Sequence, residues 1–346
     1  MTRLRRFAAT AAFAALSTVS SLAAAAGYTG LYVFGDSLSD RGNLASLADA
    51  AQVITGNSYI PSVPYASGQL TNGDVWVKSF AGALGLSAFG QPASLGGGDF
   101  AFGGARVNTD GAGLPPSLTL QTGLFFNATG NVAPGTALYV VAGGGNDARD
   151  ALTAAATAAA QAAATATDPT AAIQTIVGQA ATTYAQSTGA IIDQLQSAGA
   201  QHIIVWDVPN LALAPAVTFM GGQAAALGGM VSQAMNVALS SRLSGETGVT
   251  LFSLYGLQNS FFAAPVAFGL TNLADACGAA ANACDPATSL FWDGIHPTAF
   301  GHQLIANAMF TTAVPEPSVM ALLLTGLLLM GWRAHRAAPH RGAPRL

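Results

Sequence analysis

Charge is what this sequence has least of. Asp, Glu, Lys and Arg make up 8% of 346 residues, and the formal net charge is −4 with His neutral. The few charges are also unevenly placed. Arg3, Arg5 and Arg6 stand at the N-terminus, and Arg333, Arg336, Arg341 and Arg345 at the C-terminus. Between Gly27 and Ala313 the only basic residues are Arg41, Lys78, Arg106, Arg149 and Arg242, against every acidic residue except Glu316. Five positive and fifteen negative charges leave that stretch at about −10. Such a surface repels phosphate backbones, which excludes nucleic acid as a partner. Nor is it drawn electrostatically to anionic lipid.

Cysteine is scarce as well. Cys277 and Cys284 flank a small Gly/Ala/Asn loop, and with few histidines nearby they do not make a zinc site. An even pair in an exported chain suggests a local disulfide, the alternative being two free thiols.

Long apolar runs are missing too. The run from Phe7 to Leu16 follows the N-terminal arginines, and Ala24-Ala25-Ala26 precedes Gly27. This is the layout of a secretory signal peptide with a small-residue cleavage site. The run is short for a membrane span, so cleavage near Ala26 is expected rather than a retained anchor. At the other end, Ser318 to Trp332 is almost wholly apolar. It is marginal for a bilayer that usually needs about twenty residues. Val314-Pro315-Glu316-Pro317 precedes it, and Arg333, His335, Arg336, His340, Arg341 and Arg345 follow, a basic end that favours the cytoplasmic side. This three-part tail resembles the PEP-CTERM sorting signal of Gram-negative bacteria. The resemblance implies a temporary membrane anchor, processed by an exosortase during export to the cell surface or extracellular matrix. A permanent C-terminal anchor is the alternative. The expected organisation is a signal peptide over 1–26, one domain over 27–313 and a sorting tail over 314–346.

Within the domain, strand and helix alternate. Tyr32-Val33-Phe34 suits a buried strand that stops at Gly35-Asp36-Ser37. Further strands are expected at Leu138 to Ala142, His202 to Trp206 and Val249 to Leu254. Helices are expected near Leu44 to Ala51, Asp74 to Leu84, Gln223 to Leu243 and Ala299 to Phe310. The alanine-rich stretch from Ala151 favours helix by propensity, with a break at Asp168-Pro169. It runs on as helix to Ala198, where Gly199 ends it. Thr55 to Asn72 and Gly256 to Pro286 are expected to be loops shaping a cleft. The alternation argues for a mainly parallel α/β sheet with helices on both faces.

Polar residues gather just past the strand ends, where open α/β sheets place their ligand crevices. Ser37 is a candidate nucleophile if something takes its proton. His296 is the candidate base, since imidazole accepts a hydroxyl proton near neutral pH. Asp293, three residues earlier, can reach that imidazole within one turn and fix its tautomer. Acyl transfer also needs oxyanion donors. The backbone N–H of Ser37, that of Gly104 and the side-chain amide of Asn146 are suitable in kind. Each piece has a plainer reading. Gly-Asp-Ser, Asp-Gly and His-Pro are turn sequences, Gly103-Gly104 can simply turn the chain, and Asn146 can simply satisfy backbone groups. His202 and His302 are taken as structural.

Together the pieces match a pattern. Phe34-Gly35-Asp36-Ser37-Leu38-Ser39-Asp40, Phe100-Ala101-Phe102-Gly103-Gly104-Ala105, Gly144-Gly145-Asn146-Asp147 and Asp293-Gly294-Ile295-His296-Pro297-Thr298 occur in order. They resemble the four blocks of the SGNH-hydrolase superfamily, also called the GDSL esterase/lipase family. Gly68 to Trp76 resembles the segment between the first two blocks in its larger members. The resemblance implies a flavodoxin-like three-layer α/β/α sandwich. It also implies hydrolysis of carboxylic esters through an acyl-serine intermediate, with no metal or organic cofactor needed. Ser37 would be the nucleophile, His296 the base and Asp293 its orienter, with Gly104 and Asn146 completing the oxyanion hole. The second block departs from the pattern, with Phe100 where members often have Asn, and Gly103 is an alternative to Gly104. Expected substrates are small-molecule, lipid or acylated-saccharide esters. A polysaccharide deacetylase, an acyltransferase or a non-catalytic matrix protein on the same fold are the competing readings.

Overall fold

The computed structural model describes residues 27–47, 65–66, 68–111, 113–314, 326–330 and 333. The expected signal peptide lies outside the described residues, as do most of the tail and most of the Thr55 to Asn72 loop. Gly27–Phe310 stands apart as one compact unit, and the chain termini belong to a second. Only residues 311–314, 326–330 and 333 of that second unit are described.

Four parallel strands make the sheet: β1 (Leu31–Gly35), β2 (Leu138–Ala142), β3 (His202–Trp206) and β4 (Val249–Phe252), side by side in that order. β1, β2 and β3 are near-continuous apolar runs covered on both faces, whereas edge strand β4 leaves Thr250 and Leu251 exposed. In register, Tyr32 and Phe34 lie beside Tyr139 and Val141, which lie beside Ile203 and Val205. That face packs with Phe125, Leu152, Ile192 and Val231 from the helices on one side of the sheet. On the other face Trp206 stacks against Trp76, centroids 4.9 Å apart, and its indole N–H meets Met309 Sδ.

A short ribbon extends the sheet beyond β1. Val33 N donates to Gly98 O, Phe100 N to Val33 O and Phe102 N to Gly35 O, at 2.8–3.1 Å. The spatial order, counted along the chain with this ribbon second, is 2-1-3-4-5. That is the flavodoxin-like order, and its direction reverses between β1 and β2.

The helices are α1 (Asn43–Leu47), α2 (Trp76–Ala83), α3 (Leu118–Thr129), α4 (Gly145–Ala164), α5 (Thr170–Ser197), α6 (Pro215–Thr218), α7 (Gly222–Leu243), α8 (Leu254–Ala263) and α9 (Ala299–Ala313). The alanine-rich stretch is two helices, α4 and α5, separated around Asp168-Pro169 as its sequence predicts.

Three helices depart from the sequence reading, among them the four-residue α6. α3 was not expected. Its buried stripe is Leu118, Gln121, Thr122 and Phe125, a helical spacing half made of polar residues, so the apolar period is hidden. Ser117 caps it by accepting from Leu120 N at 3.2 Å. α8 replaces the first part of the expected Gly256 to Pro286 loop. Ser253 caps it through Gly256 N, and Leu254, Gln258 and Phe261 form its buried face. Gly256, where that loop was expected to begin, supplies the N–H that the cap satisfies.

Candidate active site

The site begins where β1 ends. Gly35 admits no side chain, because a Cβ there would stand 2.7 Å from Ala142 O of the neighbouring strand. Ser39 N and Asp40 N both donate to Asp36 O, a tight turn that leaves Ser37 at its outer corner. Leu38 N donates to Asp36 Oδ1 at 3.0 Å. Burial pushes the Asp36 carboxyl up to about 6, against the pull of that N–H and of the His296 charge.

The turn before α9 carries the second part. Asp293 Oδ1 accepts from Ile295 N at 3.0 Å and His296 N at 2.8 Å, an Asx turn around Gly294. The other oxygen, Oδ2, lies 2.5 Å from His296 Nδ1 and also accepts from the Tyr65 hydroxyl. The opposite ring nitrogen, Nε2, lies 2.8 Å from Ser37 Oγ across 259 residues of sequence. Ser37, Asp293 and His296 are therefore brought together in one line, at 8%, 0% and 7% exposure. Burial by itself would raise the Asp293 carboxyl. The adjacent imidazole, its N–H groups and Tyr65 outweigh that and hold it down at about 2.

The oxyanion candidates sit on two turns and the first turn of a helix. Among the described residues, neither Ser37 N–H nor Gly104 N–H donates to another protein group. Gly103 N–H, in contrast, is taken by Asp40 Oδ2 at 2.8 Å, which separates the two glycines. Asn146 opens α4 just past β2, and one of its amide hydrogens goes to Ala105 O at 2.9 Å. Gly144 before it adopts φ +107°, with Tyr184 where a Cβ would stand. Ser37 and Asn146 line one cavity with His296, whereas Gly104 is outside that lining. The Asn146–Ala105 bond ties the Gly104 turn to the same rim.

Several site residues escaped the sequence reading. Asp40 accepts from Gly42 N and Asn43 N through Oδ1, and from Leu44 N and Gly103 N through Oδ2. Asn43 Nδ2 donates to Asp99 O and Ala101 O. The first block thus clamps the second. Gln121 exchanges two hydrogen bonds with the Gly35 backbone. Asp40 belonged to the recognised block, but Tyr65 and Gln121 carried no signal. Their roles exist only once the chain is folded.

The cavity has an empty volume of about 750 Å³, counting space open to solvent. Its wall is mostly apolar, with Leu38, Leu211, Leu254, Phe261, Phe291 and Ile295 among its residues. The expected disulfide is present between Cys277 and Cys284. Cys277 N and Gly278 N donate to Phe291 O and Trp292 O, so this loop braces the segment leading into Asp293. Among the described residues no cluster of His, Cys, Asp or Glu could hold a metal ion. None of the described helices is long and apolar enough to cross a membrane.

The structure is thus a parallel α/β sheet with Ser37, His296 and Asp293 in contact past its strand ends. The sequence profile of the GDSL-like Lipase/Acylhydrolase family matches residues 31–309, and the chain belongs to that family. A Pseudomonas putida protein described as "Uncharacterized protein in trpE-trpG intergenic region" is 29% identical over 336 residues, covering 87% of this chain and 51% of its own. Esterase EstA of Pseudomonas aeruginosa is 33% identical over 130 residues, 32% of this chain and 20% of its own. The chain thus spans about half the length of the first relative and a fifth of the second. An extracellular lipase of Streptomyces rimosus overlaps with a TM-score of 0.40 at 18% identity, over 82% of this chain and 99% of its own.

Proposed function

We propose that this chain hydrolyses carboxylic esters through an acyl-Ser37 intermediate. The observation that carries the reading is the unbroken Ser37–His296–Asp293 contact line at the cavity wall. Ser37 Oγ attacks the ester carbonyl as His296 Nε2 takes its proton. The electron pair moves onto the carbonyl oxygen, which meets Ser37 N–H, Gly104 N–H and the Asn146 amide. Collapse expels the alcohol, which takes the proton from His296 and leaves acyl-Ser37. Water, deprotonated by His296, attacks the acyl carbon in turn, and collapse expels Ser37 Oγ, which takes the proton back from His296 as the acid is released. Asp293 accepts from Nδ1–H throughout, keeping Nε2 free as the base and stabilising the imidazolium.

The apolar cavity wall favours a lipid or simple acyl ester over an acetylated polysaccharide. Replacing Ser37→Ala is expected to lower kcat by about 10^4-fold or more on chromogenic acyl esters. It should also abolish labelling by a fluorophosphonate. Turnover undiminished in Ser37→Ala would end this reading.

We also propose that the protein is exported. The Arg3–Ala26 leader pattern and the Val314-Pro315-Glu316-Pro317 tail support removal of both ends, the second by an exosortase after transient anchoring. Intact mass of protein recovered from outside the cell should match a chain starting near Gly27 and ending close to Val314. A mass that includes residues 1–26 or 318–346 would contradict it.

A further inference from the structure

The region from Gly27 to Ala313 has five cations. Four are committed to carboxylates. Arg41 and Lys78 pair with Asp74, Arg106 with Asp150, and Arg242 with Asp193 and Glu246. Arg149 makes no ion pair and no side-chain hydrogen bond among the described residues. It lies on α4, one turn after Asn146, which sets the two side chains on one helix face. Arg149 lines the cavity that also holds Ser37, Asn146 and His296, and it is the single cation in that lining.

Asn210 is held on both sides: Asn210 N donates to Gln258 Oε1, and Asn210 Nδ2 to Asn259 Oδ1. Asp36 receives Leu38 N. The Arg149 charge acts on the Asp36 carboxyl, yet the two stand beyond ion-pair distance. A guanidinium beside a mostly apolar cavity presents a planar fork of donors with no acceptor among the described residues. The surrounding domain is strongly acidic, so an anionic substrate would otherwise be repelled.

Resting on the ester-hydrolase reading, we infer that Arg149 is a specificity-determining residue that binds an oxyanion group, phosphate or carboxylate, on the substrate. The preferred substrate is an amphiphilic ester. Its acyl chain lies along the wall of Leu254, Phe261, Phe291 and Ile295, and its anionic group meets Arg149 beside Asn146. A bidentate guanidinium contact places that group and thereby the scissile carbonyl relative to Ser37.

The test uses the full chain and three octanoyl esters, of glycerol, of glycerol 3-phosphate and of glyceric acid. The readout is the ratio of kcat/KM for each anionic ester to that for the neutral one. Wild type should favour one anionic ester, and which one identifies the oxyanion. Arg149→Met should lower that ratio by about tenfold or more, mostly through KM, as expected for one lost charge-assisted contact. Arg149→Lys should retain part of the preference, since it keeps the charge without the fork. Turnover of the neutral ester serves as the check that each variant is folded. A ratio that moves by less than about twofold in Arg149→Met would overturn the inference and leave ester hydrolysis standing. Wild type that hydrolyses none of the three and takes no fluorophosphonate on Ser37 would overturn both.

Discussion

Asp293 does two jobs with one carboxylate. Oδ1 closes the turn by accepting Ile295 and His296 N–H groups, and Oδ2 faces the imidazole. The plain turn reading and the catalytic reading of Asp293-Gly294-Ile295-His296 are thus compatible. The second histidine of this region behaves differently. His302 is buried on α9, and neither ring nitrogen has a partner among the described residues. Burial, with a smaller push from the His296 charge, lowers its pKa to about 3. Unfolded, the same group titrates near its ordinary value, about 6.5. The unfolded state therefore gains a proton first as pH falls. Stability tied to neutral His302 is complete above about pH 6.5 and erodes down to about pH 3, by up to several kcal/mol. The buried carboxyls Asp36 and Asp147, each raised to about 6, run the opposite way between about pH 4 and 6. His302→Leu isolates the histidine contribution. The melting temperature of the variant relative to wild type should rise steadily as pH drops from 7 to 4. A difference that stays constant across that range would show that His302 is not held neutral.

At the level of elements, loops hold the chemistry and each is pinned by a neighbour. Asp40 joins the start of α1 to the Gly103-Gly104 turn through four backbone N–H groups. Burial raises its pKa even against those donors. Asp40→Ala leaves the four N–H groups without their acceptor, so a loss of about 2–4 kcal/mol is expected. If the clamp also aims Gly104 N–H, kcat of the folded variant should drop by about 10^2-fold, the usual cost of one oxyanion donor. Urea unfolding together with kcat measured well below the midpoint separates the two effects. Unchanged kcat would remove Gly104 from the oxyanion hole while leaving Asp40 as a structural clamp. The Cys277–Cys284 loop plays a similar part on the opposite bank, fastened to Phe291 and Trp292 ahead of the Asp293 turn.

Over the whole molecule, strand order sets where the loops meet. The Gly98–Phe102 ribbon lies on one side of β1 and β2 on the other. Chain direction across the sheet reverses there, so the loops after β1 and β2 part and leave a crevice at their carboxyl ends. Ser37 stands on the loop after β1, and Asn146 in the first turn of α4 just past β2. The sparse charge is also organised globally. Of the five cations between Gly27 and Ala313, four are used in ion pairs, and Arg149 faces the cavity.

Sequence alone determined the alternation of strands and helices, because apolar runs fully buried in a parallel sheet show in composition. It also determined the identities of Ser37, Asp293 and His296, because short blocks of special residues mark the strand-end turns. Helix α3 stayed hidden because Gln121 and Thr122 occupy buried positions that a search for apolar period skips. The partnership of Tyr65 with Asp293, and of Gln121 with Gly35, spans 228 and 86 residues of chain. That Asp40 takes the N–H of Gly103 and not that of Gly104 is likewise a contact across 63 residues of chain. That Arg149 faces the cavity with no ion pair among the described residues depends on where the other described charges lie. These matters are relations between distant groups in space, and only the tertiary structure decided them.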